Sequence, residues 1–281
     1  MARFRPRKTF KLVTHLREGP QAPLPAWKRE EQGLSRDLEE RCSTVQQHCG
    51  DEASCLRLGR LVPRLTHYDY GVRESALAEL ELATQLIRVG VRVNFLPESQ
   101  ARTADLECYL GRARFFVEAT AMVGSAERRQ LPIRGLAEIT VQGDEEDRGV
   151  VLIHRILARI RQKAKQLADY CDPVVLCISV PRADLLGDKT SRHEEIWLDL
   201  KALAGSVTVL LTTLRQLSAV MIVLWDVEPL PSKAGTRLAN VDLVERPKRQ
   251  RGYPRVRMLV QNPGVRSPLT ELQEEAFRQV L

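Results

Sequence analysis

The sequence is poor in aromatic residues, which make up 5% of its 281 residues, so no aromatic platform for stacking nucleic-acid bases is evident. It has no apolar run long enough for a membrane-spanning helix, and its basic N-terminal segment has no secretory apolar stretch. It also has no glycine-rich phosphate loop and no serine or cysteine in a nucleophile-elbow context. We therefore expect a cytoplasmic protein without a membrane partner, and acyl-transfer chemistry has no support.

The six cysteines are scattered, and their spacings do not match the paired cysteines of structural zinc sites. Positive charge is abundant, with a formal net charge of +7. It is concentrated in the N-terminal arm, residues 1–11, and in ERPKRQRGYPRVR, residues 245–257. Such clusters can contact nucleic-acid phosphates, although a solvated basic loop is the commoner reason for a charge run.

The order of periodic segments predicts an α/β protein with a mixed sheet and helices on both faces. We expect a basic arm and helical appendage over residues 1–66, an α/β core over 67–262 and a C-terminal helix over 263–281. The core is predicted to contain helices over residues 72–89, 149–170 and 193–205, and strands over 91–96, 173–180, 218–225 and 255–262.

The segment TADLECYLGRARFFVEATA, residues 103–121, is the most informative part of the chain. Two short strand-like runs flank a polar turn at Gly111, which predicts a β-hairpin. Each run carries one acid, Asp105 and Glu118. Because an antiparallel hairpin brings distant residues within side-chain reach, these acids could meet. Converging carboxylates are typical ligands of Mg²⁺, and the alternative is an ordinary hairpin with exposed acids.

The first predicted core helix contains one acid that needs a partner. At about 100° per residue, Glu79 falls on the apolar face, whereas Glu74 and Glu81 fall on the opposite side and are expected to be satisfied by water. A carboxylate within an apolar face must be ion-paired, hydrogen-bonded or metal-bound. A salt bridge from Glu79 to an arginine of another element is the structural alternative to a functional role.

The order of elements resembles that of the PD-(D/E)XK nuclease superfamily. This order is an acid on a helix, a strand, an Asp on the next strand, a turn and a further acid. The matching residues are Glu79, ADL around Asp105 and VEAT around Glu118. The resemblance implies a restriction-endonuclease-like fold and a nucleic-acid substrate, with DNA favoured. It also implies Mg²⁺ (or Mn²⁺) held by Asp105, Glu118 and the carbonyl of Ala119, with Glu79 acting from its helix.

Thr120 occupies the position at which the superfamily motif has lysine. Some members carry this lysine on a helix, and Lys163 is the candidate here because it lies near the apolar face of the second predicted core helix, whereas Lys165 points away. Lys163 could instead extend into solvent. Gln166 and Tyr170 follow, and their Q-x₃-Y spacing resembles a motif of nuclease domains in bacterial recombination helicase-nucleases.

Three hypotheses follow from these residues. The first is a metal-dependent nuclease that uses Glu79, Asp105, Glu118 and Lys163. The second is a catalytically inactive nuclease-like fold that serves as a nucleic-acid-binding or protein-interaction module. The third is an unrelated α/β protein whose acids are structural. The position of Lys163 separates the first two.

Overall fold

The computed structural model describes residues 26–97, 103–122, 145–181, 196–231, 239–248, 250 and 252–281. The predicted basic arm lies outside the described residues, as do Arg249 and Arg251 of the second basic cluster. The chain divides into two compact units, Met1–Leu38 and Glu39–Leu281. The domain boundaries at residues 66 and 262 stay predictions.

The helices are α1 Ala26–His48, α2 Glu52–Leu65, α3 Tyr70–Arg88, α4 Glu145–Gln166, α5 Leu200–Thr213 and α6 Glu271–Val280. The strands are β1 Arg92–Phe95, β2 Leu106–Leu110, β3 Ala113–Ala121, β4 Val174–Val180, β5 Ile196–Leu198, β6 Ala219–Leu224, β7 Val227–Pro229, β8 Val241–Glu245 and β9 Val256–Gln261. No helix among the described residues is long and apolar enough to cross a membrane.

Seven strands form a mixed sheet in the order β1-β2-β3-β4-β6-β9-β8, and β5 and β7 form a small second sheet. The centre, β3-β4-β6, is parallel, whereas β1-β2-β3 and β6-β9-β8 pair antiparallel. The prediction of an α/β protein with a mixed sheet flanked by helices is confirmed.

The apolar central strands lie between two helical layers. The side chains of β4 and β6 are almost all buried, as expected of parallel strands covered on both faces. Residues of α4 and α5 form one core with these strands. On the opposite face α3 contacts β3, and Phe277 of α6 packs edge-to-face on Phe115 with ring centroids 5.7 Å apart.

One predicted helix is partly wrong. The described part of residues 193–205 begins as strand β5, and the helix starts only at Leu200. Ile196 and Leu198 are buried while Trp197 between them is less so, which is the alternation of a strand. Asp199 then accepts hydrogen bonds from the N–H groups of Lys201 and Ala202, so it caps α5 and fixes where that helix begins.

The segment around α2 covers the outer edge of the sheet at β1. The Cys49 thiol donates to the Val93 carbonyl at 3.1 Å, and the Phe95 N–H donates to Ser54 Oγ at 2.8 Å. An edge strand otherwise presents unpaired backbone groups. These two contacts satisfy one carbonyl and one N–H group of this edge with side chains, and they bring α2 alongside β1.

Candidate functional site

The predicted hairpin is present, and Asp105 lies at the point where its strands separate. β2 and β3 pair from Leu110↔Ala113 to Leu106↔Val117, with the turn at Gly111, whose φ is +62°. The Asp105 N–H donates to the Val117 carbonyl at 3.1 Å. Beyond this point the Asp105 side chain replaces the backbone of β2 as the hydrogen-bonding partner of β3. Its Oδ2 accepts the N–H of Ala119 at 2.9 Å. The backbone therefore fixes the orientation of this carboxylate.

Glu118 lies beside Asp105 in a buried environment. Its side chain is 6% exposed, and its pKa is raised to about 7. Burial is the main cause, followed by the negative charge of Asp105, and a side-chain hydrogen bond with Asp105 adds to it. The two acids of the hairpin therefore lie within hydrogen-bonding reach of each other, as their strand positions predict.

Lys163 reaches the same point from α4. Its ammonium nitrogen donates to Glu118 Oε1 at 2.5 Å, and 18% of its side chain is exposed. Ile156 and Ile160 hold α4 against the sheet and are fully buried, whereas Lys165 is exposed, as predicted. The alternative in which Lys163 extends into solvent is wrong. Its charge lowers the pKa of Glu118 and opposes the effect of burial.

Glu79 is 2% exposed on the apolar face of α3, and its partner is an arginine of another element. Arg57 of α2 donates through Nε to Oε1 at 3.0 Å and through Nη2 to Oε2 at 3.2 Å. The same Nη2 donates to Asp105 Oδ1 at 3.1 Å. Arg64 lies about two helical turns after Arg57 on α2. Its Nη1 is 3.7 Å from Glu79 Oε2. Arg57 thus bridges two of the predicted site acids.

Asp105 is electrostatically central to this cluster. The pKa of Glu79 is raised to about 7 by burial and by the charge of Asp105, and it is lowered by Arg57 and Arg64. Asp105 therefore perturbs Glu79 and Glu118, with Arg57 placed on one side and Lys163 on the other. Within the described ranges, no group of three or more His, Cys, Asp or Glu side chains has the arrangement of a metal site.

Thr120 and Tyr170 make hydrogen bonds next to the point where β2 and β3 separate. The Thr120 hydroxyl, at the predicted lysine position, accepts a hydrogen bond from Arg159 Nη2 at 2.7 Å. The Tyr170 hydroxyl accepts the N–H of Ala104, the residue before Asp105, at 2.7 Å. Gln166 is half-buried at the end of α4. Tyr170 therefore ties the chain after α4 to the segment that presents Asp105.

The prediction that water satisfies Glu81 is wrong. Glu81 Oε1 accepts from Arg257 Nη2 at 3.0 Å, and 15% of the Glu81 side chain is exposed. Glu74 is half-buried, and burial raises its pKa against the charge of Arg73. The side of α3 that carries Glu81 does not face only solvent, because β9 supplies Arg257 to that side.

Sequence reasoning missed Arg57 and Arg159. The signal for Arg57 was present, because it lies within the buried face of α2 together with Ser54, Leu58 and Leu61. A cation in an apolar face needs a partner for the same reason as an acid does. Arg159 had no such signal, since it lies at the edge of the apolar face of α4.

Comparison of the chain with protein-family models, with the curated proteins and with the solved structures finds no match. The resemblance to the PD-(D/E)XK superfamily therefore depends on the residues and on their arrangement. Of the residues predicted for the site, Glu79, Asp105, Glu118 and Lys163 are connected directly or through Arg57.

Proposed function

We propose that this protein is a metal-dependent phosphodiester hydrolase of restriction-endonuclease-like architecture that cleaves nucleic acid, with DNA as the favoured substrate. The contact between Lys163 and Glu118 carries the proposal, because it places an amine beside the buried Glu118 carboxyl group and its half-buried neighbour Asp105, where the strands β2 and β3 separate. A lysine at such a point can stabilise the charge that develops on a phosphate during hydrolysis. It also supplies the cation that Thr120 cannot.

The donor set suits a hard divalent cation. Asp105 and Glu118 supply carboxylate oxygens, and with the Ala119 carbonyl they would hold Mg²⁺ or Mn²⁺. The pKa of Glu118 is raised by burial and by the negative charge of Asp105. A bound cation would offset this negative charge. A divalent cation held there would supply a bound water of lowered pKa and positive charge beside the phosphoryl group.

The protein's own residues would prepare the site for that chemistry. The Ala119 N–H and Arg57 each hold one oxygen of Asp105, so its orientation is set before any ligand arrives. Glu79 keeps Arg57 in place through two hydrogen bonds. Lys163 would move from Glu118 toward the phosphate or the attacking water.

The second candidate function is a catalytically inactive module that binds nucleic acid or another protein. The position of Arg57 favours it, because a guanidinium between Glu79 and Asp105 already offsets charge that a metal would otherwise neutralise. In that case the basic cluster near the C-terminus, which includes Arg246 and Lys248, would supply affinity for phosphates.

Nicking of supercoiled DNA and degradation of single-stranded DNA, with Mg²⁺ or Mn²⁺, distinguish the two functions. We expect Asp105→Asn to abolish cleavage and Lys163→Met to slow it by about 100-fold or more. Lys165→Met is the matched control, since this exposed lysine is two residues away on the same helix, and it should cleave like the wild type. Cleavage that survives Asp105→Asn would show that the assigned site is wrong.

Metal binding gives a second readout that does not depend on turnover. Calorimetry should show Mn²⁺ binding that is weakened in Asp105→Asn. Because ligating carboxylates must be ionised, the affinity should fall as the pH is lowered through about 7, the pKa of Glu118. A wild-type protein that binds DNA but neither binds Mn²⁺ nor cleaves would support the inactive module.

A further inference from the structure

The loop between α2 and α3 carries an exposed pair of stacked rings. Aromatic residues are scarce in the chain, yet HYDY, residues 67–70, contains two of its five tyrosines. The rings of His67 and Tyr68 lie with their centroids 4.4 Å apart and their planes 29° apart. Tyr68 is 92% exposed, the highest value for a large hydrophobic residue in the part of the chain that the structure describes. His67 therefore supports one face of the tyrosine ring, and the other face is open to solvent.

Hydrogen bonds to both neighbouring helices hold this loop. The His67 N–H donates to the Arg64 carbonyl at 3.2 Å, in the last turn of α2. The Asp69 N–H donates to His67 Nδ1 at 3.0 Å, and Asp69 caps α3 by accepting the Val72 N–H at 3.0 Å. The backbone therefore sets the orientation of the imidazole ring on which Tyr68 stacks. A ring pair that is ordered in advance loses less conformational entropy when a ligand binds.

The same two helices hold acids of the candidate site. Arg64, three residues before His67, places Nη1 3.7 Å from Glu79 Oε2. Tyr70, the first residue of α3, is nine residues before Glu79, which corresponds to about 14 Å along the helix. Successive nucleotides of a stacked strand are about 3.4 Å apart. A strand that reaches from the acids to the ring pair would therefore span about four nucleotides, or fewer if it is stretched.

The chemistry of the ring pair favours an unpaired nucleic-acid base. Every base has an aromatic face, so stacking on a tyrosine ring binds a single strand without reading its sequence. Bases within a duplex already stack on one another, and a side chain reaches their faces only when a base is taken out of the stack.

We propose that His67 and Tyr68 form a stacking platform for an unpaired base of the nucleic acid, in which Tyr68 contacts the base and His67 positions Tyr68. The proposal rests on the proposed function for the nature of the ligand. It gives the protein a preference for single-stranded over fully paired nucleic acid. The alternative is an exposed ring pair without a ligand, since single hydrophobic residues are common on protein surfaces.

The first measurement is binding of a short single-stranded oligonucleotide, in DNA and in RNA form, in Ca²⁺ over a series of salt concentrations. In Tyr68→Ala we expect the affinity to fall at least about fivefold, the loss of one stacked base. Tyr68→Trp keeps an aromatic face and should bind like the wild type. The slope of log K against log salt should stay unchanged in Tyr68→Ala, because no charge is removed.

The control is Leu272→Ala, which removes a 70% exposed apolar side chain on α6 and should leave the affinity unchanged. His67→Ala should weaken binding as well, whereas His67→Phe, which keeps a ring beneath Tyr68, should restore it. Affinity for relaxed circular duplex DNA, which has no unpaired ends, should not depend on Tyr68. Thermal unfolding shows whether each variant is folded.

The second measurement locates the stacked base. The fluorescence of 2-aminopurine is quenched when this base stacks, so the probe is moved along the oligonucleotide one position at a time. One position should show quenching on binding that is lost in Tyr68→Ala and kept in Tyr68→Trp.

A folded Tyr68→Ala variant with the wild-type affinity for both single strands would overturn the proposal. A wild-type protein that binds neither single strand would overturn it as well. Binding that depends on Tyr68, without cleavage in Mg²⁺ or Mn²⁺, would refute the proposed hydrolase and leave this inference standing. Cleavage with binding independent of Tyr68 would do the opposite.

Discussion

Replacing Arg57 with methionine should destabilise the protein, and the loss should be larger at alkaline than at acidic pH. The Arg57 side chain is 6% exposed and donates hydrogen bonds to both oxygens of Glu79 and to Asp105. Methionine keeps much of the length and the apolar stem but has no charge. The substitution therefore leaves two carboxylates at the site without this cation.

The size of the effect follows from the burial of the pair. Breaking a buried ion pair by removing one partner typically costs about 3–5 kcal/mol, because the remaining charge stays desolvated. Glu79 is 2% exposed, and Arg64 lies 3.7 Å away as a longer-range partner. We expect a loss of about 3 kcal/mol in the free energy of unfolding at alkaline pH, with Arg64 supplying part of the compensation.

The pH dependence has a definite sign. The pKa of Glu79 in the folded protein is about 7, above its ordinary value of 4.5, so the folded state binds more protons in this interval than the unfolded state. The wild-type protein therefore loses this contribution to stability as the pH rises from about 4.5 to about 7. Arg57 lowers that pKa, and its removal raises it further. In Arg57→Met the decline should continue above pH 7.

Urea unfolding followed by far-ultraviolet circular dichroism, at about pH 5 and about pH 8, tests both the size and the sign. Arg60→Met is the control, because Arg60 is an exposed arginine on the same helix, and its effect should be small at both pH values. A loss below about 1 kcal/mol at both pH values would refute the reasoning from buried charge. So would a loss of equal size at both.

Three further substitutions test the packing of the fold. Gly149→Ala should destabilise the protein by about 1–3 kcal/mol in thermal unfolding, because a Cβ would lie 2.2 Å from the Trp197 carbonyl oxygen. Gly59→Ala on α2, where a Cβ meets nothing within 4 Å, should instead stabilise by about 0.5–1 kcal/mol, and equal effects of the two would contradict the packing. Ser54→Ala should lower the free energy of unfolding by about 1–3 kcal/mol, because the Phe95 N–H loses its acceptor. Hydrogen exchange at the Phe95 N–H should become faster. Unchanged exchange would show that β1 does not depend on this contact.

Much of the fold could be predicted because its strands and helices have strong periodicity. The strands β4, β6 and β9 each lie within one residue of their predicted ranges at both ends, and continuous apolar runs mark β4 and β6. β7 and β8 were not predicted. β7 has three residues and β8 is half exposed, so neither has a clear pattern of burial. Short edge strands depend on their neighbours more than on their own sequence.

The acids of the site could be predicted more readily than its arginines. Asp105 and Glu118 follow from hairpin geometry, and Glu79 follows from the helical wheel of α3. Their cationic partners come from elements distant in the chain, with Arg57 22 residues before Glu79 and Arg159 39 residues after Thr120. Local periodicity shows that a buried charge needs a partner, but tertiary packing decides which element supplies it.

The position of α2 limits how far the chain can be shortened. A fragment restricted to residues 67–262 would keep Glu79, Asp105 and Glu118, and it would lose Arg57 together with both side chains that cover the β1 edge. It would also lose Phe277, which packs on Phe115 at the start of β3. The exposed edge would invite pairing with other chains. A self-sufficient fragment therefore has to begin before Cys49 and extend through α6.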